Sequence, residues 1–138
     1  MSIEIKNNHN ISVGSSIERG DLRIHLTGEV FTPRILCDEM VNEIPESVIK
    51  NPKSVFLDNS AGSGNFLLSI QSRLLKYHSL EHINNNMLYG VELMEDNYLE
   101  MCQRVGVSSD HPHFVCANAL EYHYEFNGTP SKITLDQF

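Results

Sequence analysis

Three polar side chains stand where an apolar run gives way to a turn. They are Asp58 after Val55-Phe56-Leu57, Glu92 after Tyr89-Gly90-Val91, and Asn118 after Val115-Cys116-Ala117. The first is followed by Asn59-Ser60-Ala61-Gly62-Ser63-Gly64-Asn65-Phe66, with two glycines ahead of Leu67-Leu68. Each apolar run reads as a short strand, and the glycine stretch as a tight turn that opens a helix. Glycine lets backbone approach a ligand where a side chain would clash. A helix start presents N–H groups and the positive end of its dipole. In an open α/β sheet, ligands sit outside the carboxyl ends of the strands. A carboxylate there suits the hydroxyls of a ribose, and an amide there can pair with an adenine edge. The chemistry implied is recognition of a ligand that contains adenosine.

Phosphate recognition is weakly supported. The dinucleotide fingerprint wants a third glycine three residues after the second, and Leu67 occupies that position. A P-loop needs Gly-Lys-Ser/Thr after its glycines, and none occurs. An adenosine ligand without phosphate fits better, and S-adenosylmethionine is the common one.

The elements that would position these groups follow from patterning. Thr32-Pro33 signals a helix start, with Thr32 as N-cap and Pro33 at the first helical position. Ile35, Leu36, Met40, Val41 and Ile44 follow at helical spacing up to Pro45, and Pro52 marks the next loop. A strand is expected over Ser54 to Asp58. A crossover helix follows from Asn65 to about Tyr77, with Leu67, Ile70 and Leu74 on one face. Asn84-Asn85-Asn86 reads as a break before a second strand, Met87 to Glu92. A second helix runs from Asp96 to about Val105, with Tyr98, Met101 and Val105 as its buried stripe and Gly106 as its C-cap. A third strand runs from His113 to Cys116. Tyr122, Tyr124 and Phe126, alternating with polar residues, read as a short strand or edge ribbon. Alternating strands and helices imply an α/β fold, a parallel sheet with right-handed crossovers. About three strands are present, the first half of a doubly wound sheet with helices on both faces. The organisation expected is a polar arm over 1–26, a half-domain over 27–126 and a weakly patterned tail over 127–138.

The bulk numbers fit this scale. The chain has 138 residues, 41% hydrophobic and 20% charged, with a net charge of -8. That is enough for one modest domain. An acidic chain without clustered Lys and Arg is a poor nucleic-acid binder by itself. Cys37, Cys102 and Cys116 form no CxxC pair, which gives a zinc site little support and suits a reducing cytoplasm. His111 and His113 read as a solvated turn, not a metal site. Glu92, Glu95 and Asp96 read as acids at a helix start. The N-terminus lacks an apolar leader, and no run is long enough to span a membrane.

The order of these segments resembles the S-adenosylmethionine-dependent DNA adenine (N6) methyltransferases. Asp58-Asn59-Ser60-Ala61-Gly62-Ser63-Gly64-Asn65-Phe66 looks like that family's Asp-Pro-Ala-Cys-Gly-Ser-Gly-x-Phe. Thr27-Gly28-Glu29-Val30-Phe31-Thr32-Pro33 resembles its Gly-x-Phe/Tyr-Phe/Tyr-Thr-Pro segment, which folds over the methionine end of the cofactor. Tyr89-Gly90-Val91-Glu92 resembles its ribose-binding strand, and Asn118-Ala119-Leu120 its adenine-contacting Asp-Ala-Leu. The order matches type I modification subunits and fused restriction–methylation enzymes. The fold implied is the Rossmann-like methyltransferase fold. The resemblance implies cofactor contacts from Thr27, Phe31, Thr32 and Pro33, from Asp58, Ser60, Ala61, Gly62, Gly64, Asn65 and Phe66, from Glu92 and Leu93, and from Asn118, Ala119 and Leu120. Asn59 replaces proline, Ala61 cysteine and Asn118 aspartate. The family's catalytic Asn/Asp-Pro-Pro-Tyr/Phe tetrapeptide is absent from the sequence, and so is a target recognition domain. The expectation is therefore the cofactor-binding portion of an adenine methyltransferase, inactive alone. DNA would be the partner of the complete enzyme, and a second polypeptide or self-association would cover the exposed sheet edge. The alternatives are a non-catalytic S-adenosylmethionine-binding or methyltransferase-associated regulator, and an unrelated adenosine-nucleotide binder.

Overall fold

A computed structural model describes residues 31–127. The expected arm over 1–26, Thr27, and the tail beyond Asn127 lie outside the described residues.

Helices α1 (Arg34–Asn42) and α2 (Glu46–Lys50) lead into β1 (Phe56–Asp58). Helix α3 (Asn65–Leu74), a single turn α4 (Leu80–His82) and a π-turn (Ile83–Met87) lead to β2 (Leu88–Glu92). Helix α5 (Glu95–Val105) precedes β3 (Phe114–Cys116). The three strands form a parallel sheet in the order β1-β2-β3, with Asp58 opposite Gly90 and Glu92 opposite Cys116. This is the α/β architecture expected from the alternating pattern, and the three polar strand ends share one edge.

Side chains alternate across a strand, so register sorts the two faces. Phe56, Leu88 and Phe114 join Leu67, Leu74, Met101 and Val105 in the main core. Both crossover helices therefore cover this face, as right-handed connections running in one direction require. They close tightly at Gly90, where a Cβ would meet Leu67 Cδ1 at 3.0 Å, Met101 Sδ at 3.1 Å and Phe114 Cδ1 at 3.1 Å. The opposite face carries a smaller cluster of Val91, Val115 and Tyr122, with Tyr124 and Phe126 packed on it. Helices are expected on both faces; among the described residues the second face is covered instead by the chain after β3, and Leu57 is left 49% exposed.

Several expectations are corrected. Thr32 is not the N-cap of α1. Pro33 caps it, without a side-chain bond, and the Thr32 carbonyl is used elsewhere. The buried positions of α1 are Cys37 and Val41, while Ile35, Leu36 and Met40 are exposed. Polar anchors set this roll. Asp38 Oδ1 accepts from Ser69 Oγ at 2.6 Å and from Arg34 Nε at 3.1 Å, and Arg34 also donates to Ser72 Oγ. Pro45 closes α1 but also caps α2, where only a loop is expected. Arg73 then locks the corner by donating to the Val41 and Ile44 carbonyls and to Glu46. The asparagine run is a π-turn instead of a break. Asn84 is buried there and, with Gln71, bonds the Val105 carbonyl. The aromatics after β3 form no strand. Tyr124 and Phe126 adopt φ of 59° and 48°, a region bulky residues rarely enter. Tyr122 Oη accepts from the Phe126 N–H, and Tyr124 Oη donates to the Ala119 carbonyl.

Candidate functional site

The end of β1 opens a cleft of about 310 Å³, lined by Phe31 and Thr32 on one side. Asp58, Ser60, Ala61, Gly62, Ser63, Asn65 and Phe66 complete its wall. Gly62 and Gly64 adopt φ of +55° and +98°, the left-handed region where glycine carries little penalty. A Cβ on Gly62 would lie 3.5 Å from the Phe31 ring, so that ring rests on the turn. Gly64 caps α3 and faces away from the cleft toward Met101.

The turn's amides are already engaged. Ser60 N–H donates to Asp58 Oδ1 at 3.0 Å, and Ala61 N–H to the Val91 carbonyl at 3.0 Å. Gly62 N–H donates to Glu92 Oε2 at 2.7 Å, and Gly64 N–H to the Ala61 carbonyl at 2.9 Å. A phosphate loop aims such amides at the ligand. Here four of them, those of Ser60, Ala61, Gly62 and Gly64, close on the chain, ahead of the first turn of α3.

Glu92 is 8% exposed and stands behind the turn instead of in the cleft wall. Its other oxygen accepts from the Met94 N–H at 3.1 Å and from Asn97 Nδ2 at 3.4 Å. An ionised carboxylate has about four acceptor sites, so three donors leave it acceptor capacity. Asp58 lies beside it, and its pKa is raised. Burial is the main cause, the Ser60 N–H opposes it, and the Glu92 charge adds to it.

The remaining candidates are not brought into the cleft. Pro33 caps α1. Leu93 is 58% exposed. Asn118 sits past β3, where its side chain accepts from the Leu120 N–H at 3.0 Å and its carbonyl from Glu121 and Tyr122. Ala119 packs on the second-face cluster, and Leu120 is 64% exposed. His111 and His113 use ring nitrogens on Asn85 and on the Leu88 carbonyl.

Two residues that touch the site were not singled out by sequence. Ser63 lines the cleft. Arg104, on the last turn of α5, donates to the Ser63 carbonyl at 2.8 Å and to Asn65 Oδ1 at 2.9 Å. Burial lowers its pKa, and Glu100 opposes that shift. An arginine three residues beyond Met101, on a helix whose buried stripe faces the glycine turn, was the available signal.

Among the described residues lining the cleft there is a carboxylate and no Lys or Arg. With the turn amides engaged, that disfavours a polyphosphate and favours a neutral or cationic ligand.

No curated protein matches the chain. Among solved structures it is similar to a modification subunit assigned to a type I restriction enzyme from Vibrio vulnificus YJ016. The two are 22% identical with a TM-score of 0.46, over 73% of this chain and 22% of that one. The chain thus spans 22% of the length of that subunit. The family described as N-6 DNA methylase matches residues 23–104 of the 138, a span that holds the Thr-Pro segment, the glycine turn, Glu92 and Arg104, and the chain belongs to that family.

Proposed function

We propose that this chain is the S-adenosylmethionine-binding portion of a DNA adenine N6 methyltransferase of the restriction–modification type. The observation that carries the reading is the cleft at the end of β1, which carries a carboxylate and no Lys or Arg among its described lining residues, with Glu92 joined to its glycine turn. Its volume, about 310 Å³, falls at the lower end of small-molecule sites. Phe31, Thr32, Asp58 and Phe66 would hold the cofactor's cationic methionine end. Glu92, through its remaining acceptor capacity, would hold the ribose. The adenine would extend beyond the cleft along the sheet edge toward Asn118, Ala119 and Leu120, with Leu93 at its rim. When bound, S-adenosylmethionine supplies an activated methyl group. The residues of this chain bind and orient it.

Methyl transfer depends on aligning donor and target, and the tetrapeptide that holds the target base in this family is absent from the sequence. We therefore propose that the chain alone does not methylate DNA. DNA and a completing polypeptide are the proposed partners. In the described residues β1 pairs only with β2, so its outer edge can accept a further strand.

Calorimetric titration of the purified chain with S-adenosylmethionine tests the reading, with ATP and NAD as comparators. Saturable one-to-one binding of S-adenosylmethionine alone is expected. Binding of ATP or NAD with equal affinity, or no binding to a folded chain, would overturn it. Detectable methyl incorporation into DNA by the chain alone would overturn the inactivity.

A further inference from the structure

Asn65 forms part of the cleft wall, and both ends of its amide are used. Its Oδ1 accepts from Arg104 Nη2 at 2.9 Å, and its Nδ2 donates to the Thr32 carbonyl at 2.7 Å. An asparagine amide is two-fold ambiguous in shape, and hydrogen-bond partners decide its orientation. The guanidinium decides it here. It has donors only, so the amide oxygen must face it, and the amide nitrogen must then face Thr32. The Arg104–Asn65 bond is charge-assisted and correspondingly strong. Arg104 also donates to the Ser63 carbonyl on the other flank of Gly64.

We infer that Arg104 is a positioning residue for the cleft. Acting through Asn65, it holds the 31–33 segment, and with it the Phe31 ring, over Gly62. Arg104 is absent from the cleft lining, so its action is indirect. Arg73 offers a matched contrast. It too sits on a helix and donates to backbone carbonyls, those of Val41 and Ile44, but at the α1–α2 corner. The inference concerns the cleft wall itself. Only its consequence for ligand affinity rests on the proposed cofactor reading.

The chain has no tryptophan, so Phe31→Trp introduces a single tryptophan resting on Gly62, excited selectively over the tyrosines. Its emission should be blue-shifted and protected from acrylamide. In that background, Arg104→Met keeps the apolar stem and removes the donors, and should shift emission to the red with severalfold faster quenching. Asn65→Asp, which keeps size but cannot donate to Thr32, should do the same. Arg104→Lys should fall between. Arg73→Met should lower the melting temperature and leave emission unchanged. An unprotected tryptophan in the parent overturns the inference. So does unchanged emission in folded Arg104→Met, or an equal shift in Arg73→Met. If Arg104→Met does not fold, Asn65→Asp decides. If neither folds, Arg104 is a general structural residue and the inference is wrong. A parallel titration with S-adenosylmethionine should show about tenfold weaker binding for Arg104→Met, the loss of one strong hydrogen bond's worth of positioning. Absence of binding to the wild-type chain would overturn the cofactor reading and leave the fluorescence result standing.

Discussion

The corner between β1 and β2 and the end of β3 occupy the same edge of the sheet, yet they are built differently. At the first, Gly62 and Glu92, thirty residues apart in sequence, meet in a hydrogen bond of 2.7 Å. The Ala61 N–H extends the strand pairing onto Val91, and Arg104 and Asn65 brace the turn from behind. At the second, Asn118 bonds only residues two to four positions ahead. The first strand end is held by long-range side-chain bonds, whereas the second is tied to the sheet by the Ala117 N–H on the Glu92 carbonyl and closed beyond it by the local turn of Asn118. Damage at the first should therefore spread to fold and binding together, whereas damage at the second should stay where it is made.

The largest effect is expected from Glu92→Ala. It strips the acceptor from the Gly62 and Met94 amides and from the Asn97 side chain in a buried place. Each orphaned buried donor costs about 1–3 kcal/mol, so a loss of at least about 2 kcal/mol is expected in denaturant unfolding. Titration should show S-adenosylmethionine binding abolished. A variant as stable as wild type would mean that the corner is no tertiary assembly.

Gly64→Ala should come next. A φ of +98° and a Cβ placed 3.2 Å from Met101 Cγ combine strain and crowding, and left-handed strain alone costs an L-residue about 1–2 kcal/mol. Gly106→Ala sharpens this. Gly106 has a φ of +86° with nothing within 4 Å of its Cβ position, so it isolates the strain. Thermal melts should rank Gly64→Ala as the more damaging, and only Gly64→Ala should weaken binding. Equal damage in stability would mean that α5 does not press on the turn.

The same contrast explains what was legible in the sequence. The glycine turn, Glu92 and the three strands were readable because each rests on short-range signals: apolar runs, paired glycines, a strand-end acid. The Arg104 brace was harder to read: its place three residues beyond Met101 is a local hint, but the guanidinium's partners lie 39 to 41 residues away. The roll of α1 failed for a related reason. Its apolar positions suggested one face, but Asp38 bound to Ser69 chose another. Asn84 looked like punctuation because asparagine disfavours regular structure. Burial with Gln71 and the Val105 carbonyl satisfied its amide and made it an anchor. Tyr124 and Phe126 alternate like a strand, but their positive φ values answer to the hydrogen bonds of Tyr122 and Tyr124, which no periodicity encodes.

Asp58 allows a subtler separation through pH. Its folded pKa lies above the ordinary 3.8, chiefly because it is buried. The native state therefore holds that proton more tightly than the unfolded chain does. Stability from this group is greatest below pH 3.8, declines as pH rises through the raised folded value, and is flat above it. Asp58→Asn keeps an acceptor for the Ser60 N–H and removes the decline. Melts across a pH series should show the variant more stable than wild type near neutrality, with the gap closing on acidification. Because S-adenosylmethionine is cationic, the same variant should bind it more weakly if the proposed cofactor reading holds. A variant less stable than wild type at neutral pH would mean that the Asp58 charge is better solvated than its burial implies.

The smallest stability effect belongs to Asn118. Its side chain accepts one exposed hydrogen bond from the Leu120 N–H, and such bonds lie at the low end of the net range, about 0.5 kcal/mol. Asn118→Ala should lower stability by no more than that in denaturant unfolding, while weakening S-adenosylmethionine binding by removal of the proposed adenine acceptor. Asn118→Asp restores the residue usual in the family, keeps the turn's acceptor and adds a charge. Its stability should match wild type, and its affinity should rise, because a charged acceptor binds the adenine amino group more strongly. A stability loss in Asn118→Ala as large as that of Glu92→Ala would make the β3 end a tertiary assembly too. Unchanged affinity in both variants would place the adenine elsewhere and leave the β1–β2 corner as the whole of the site.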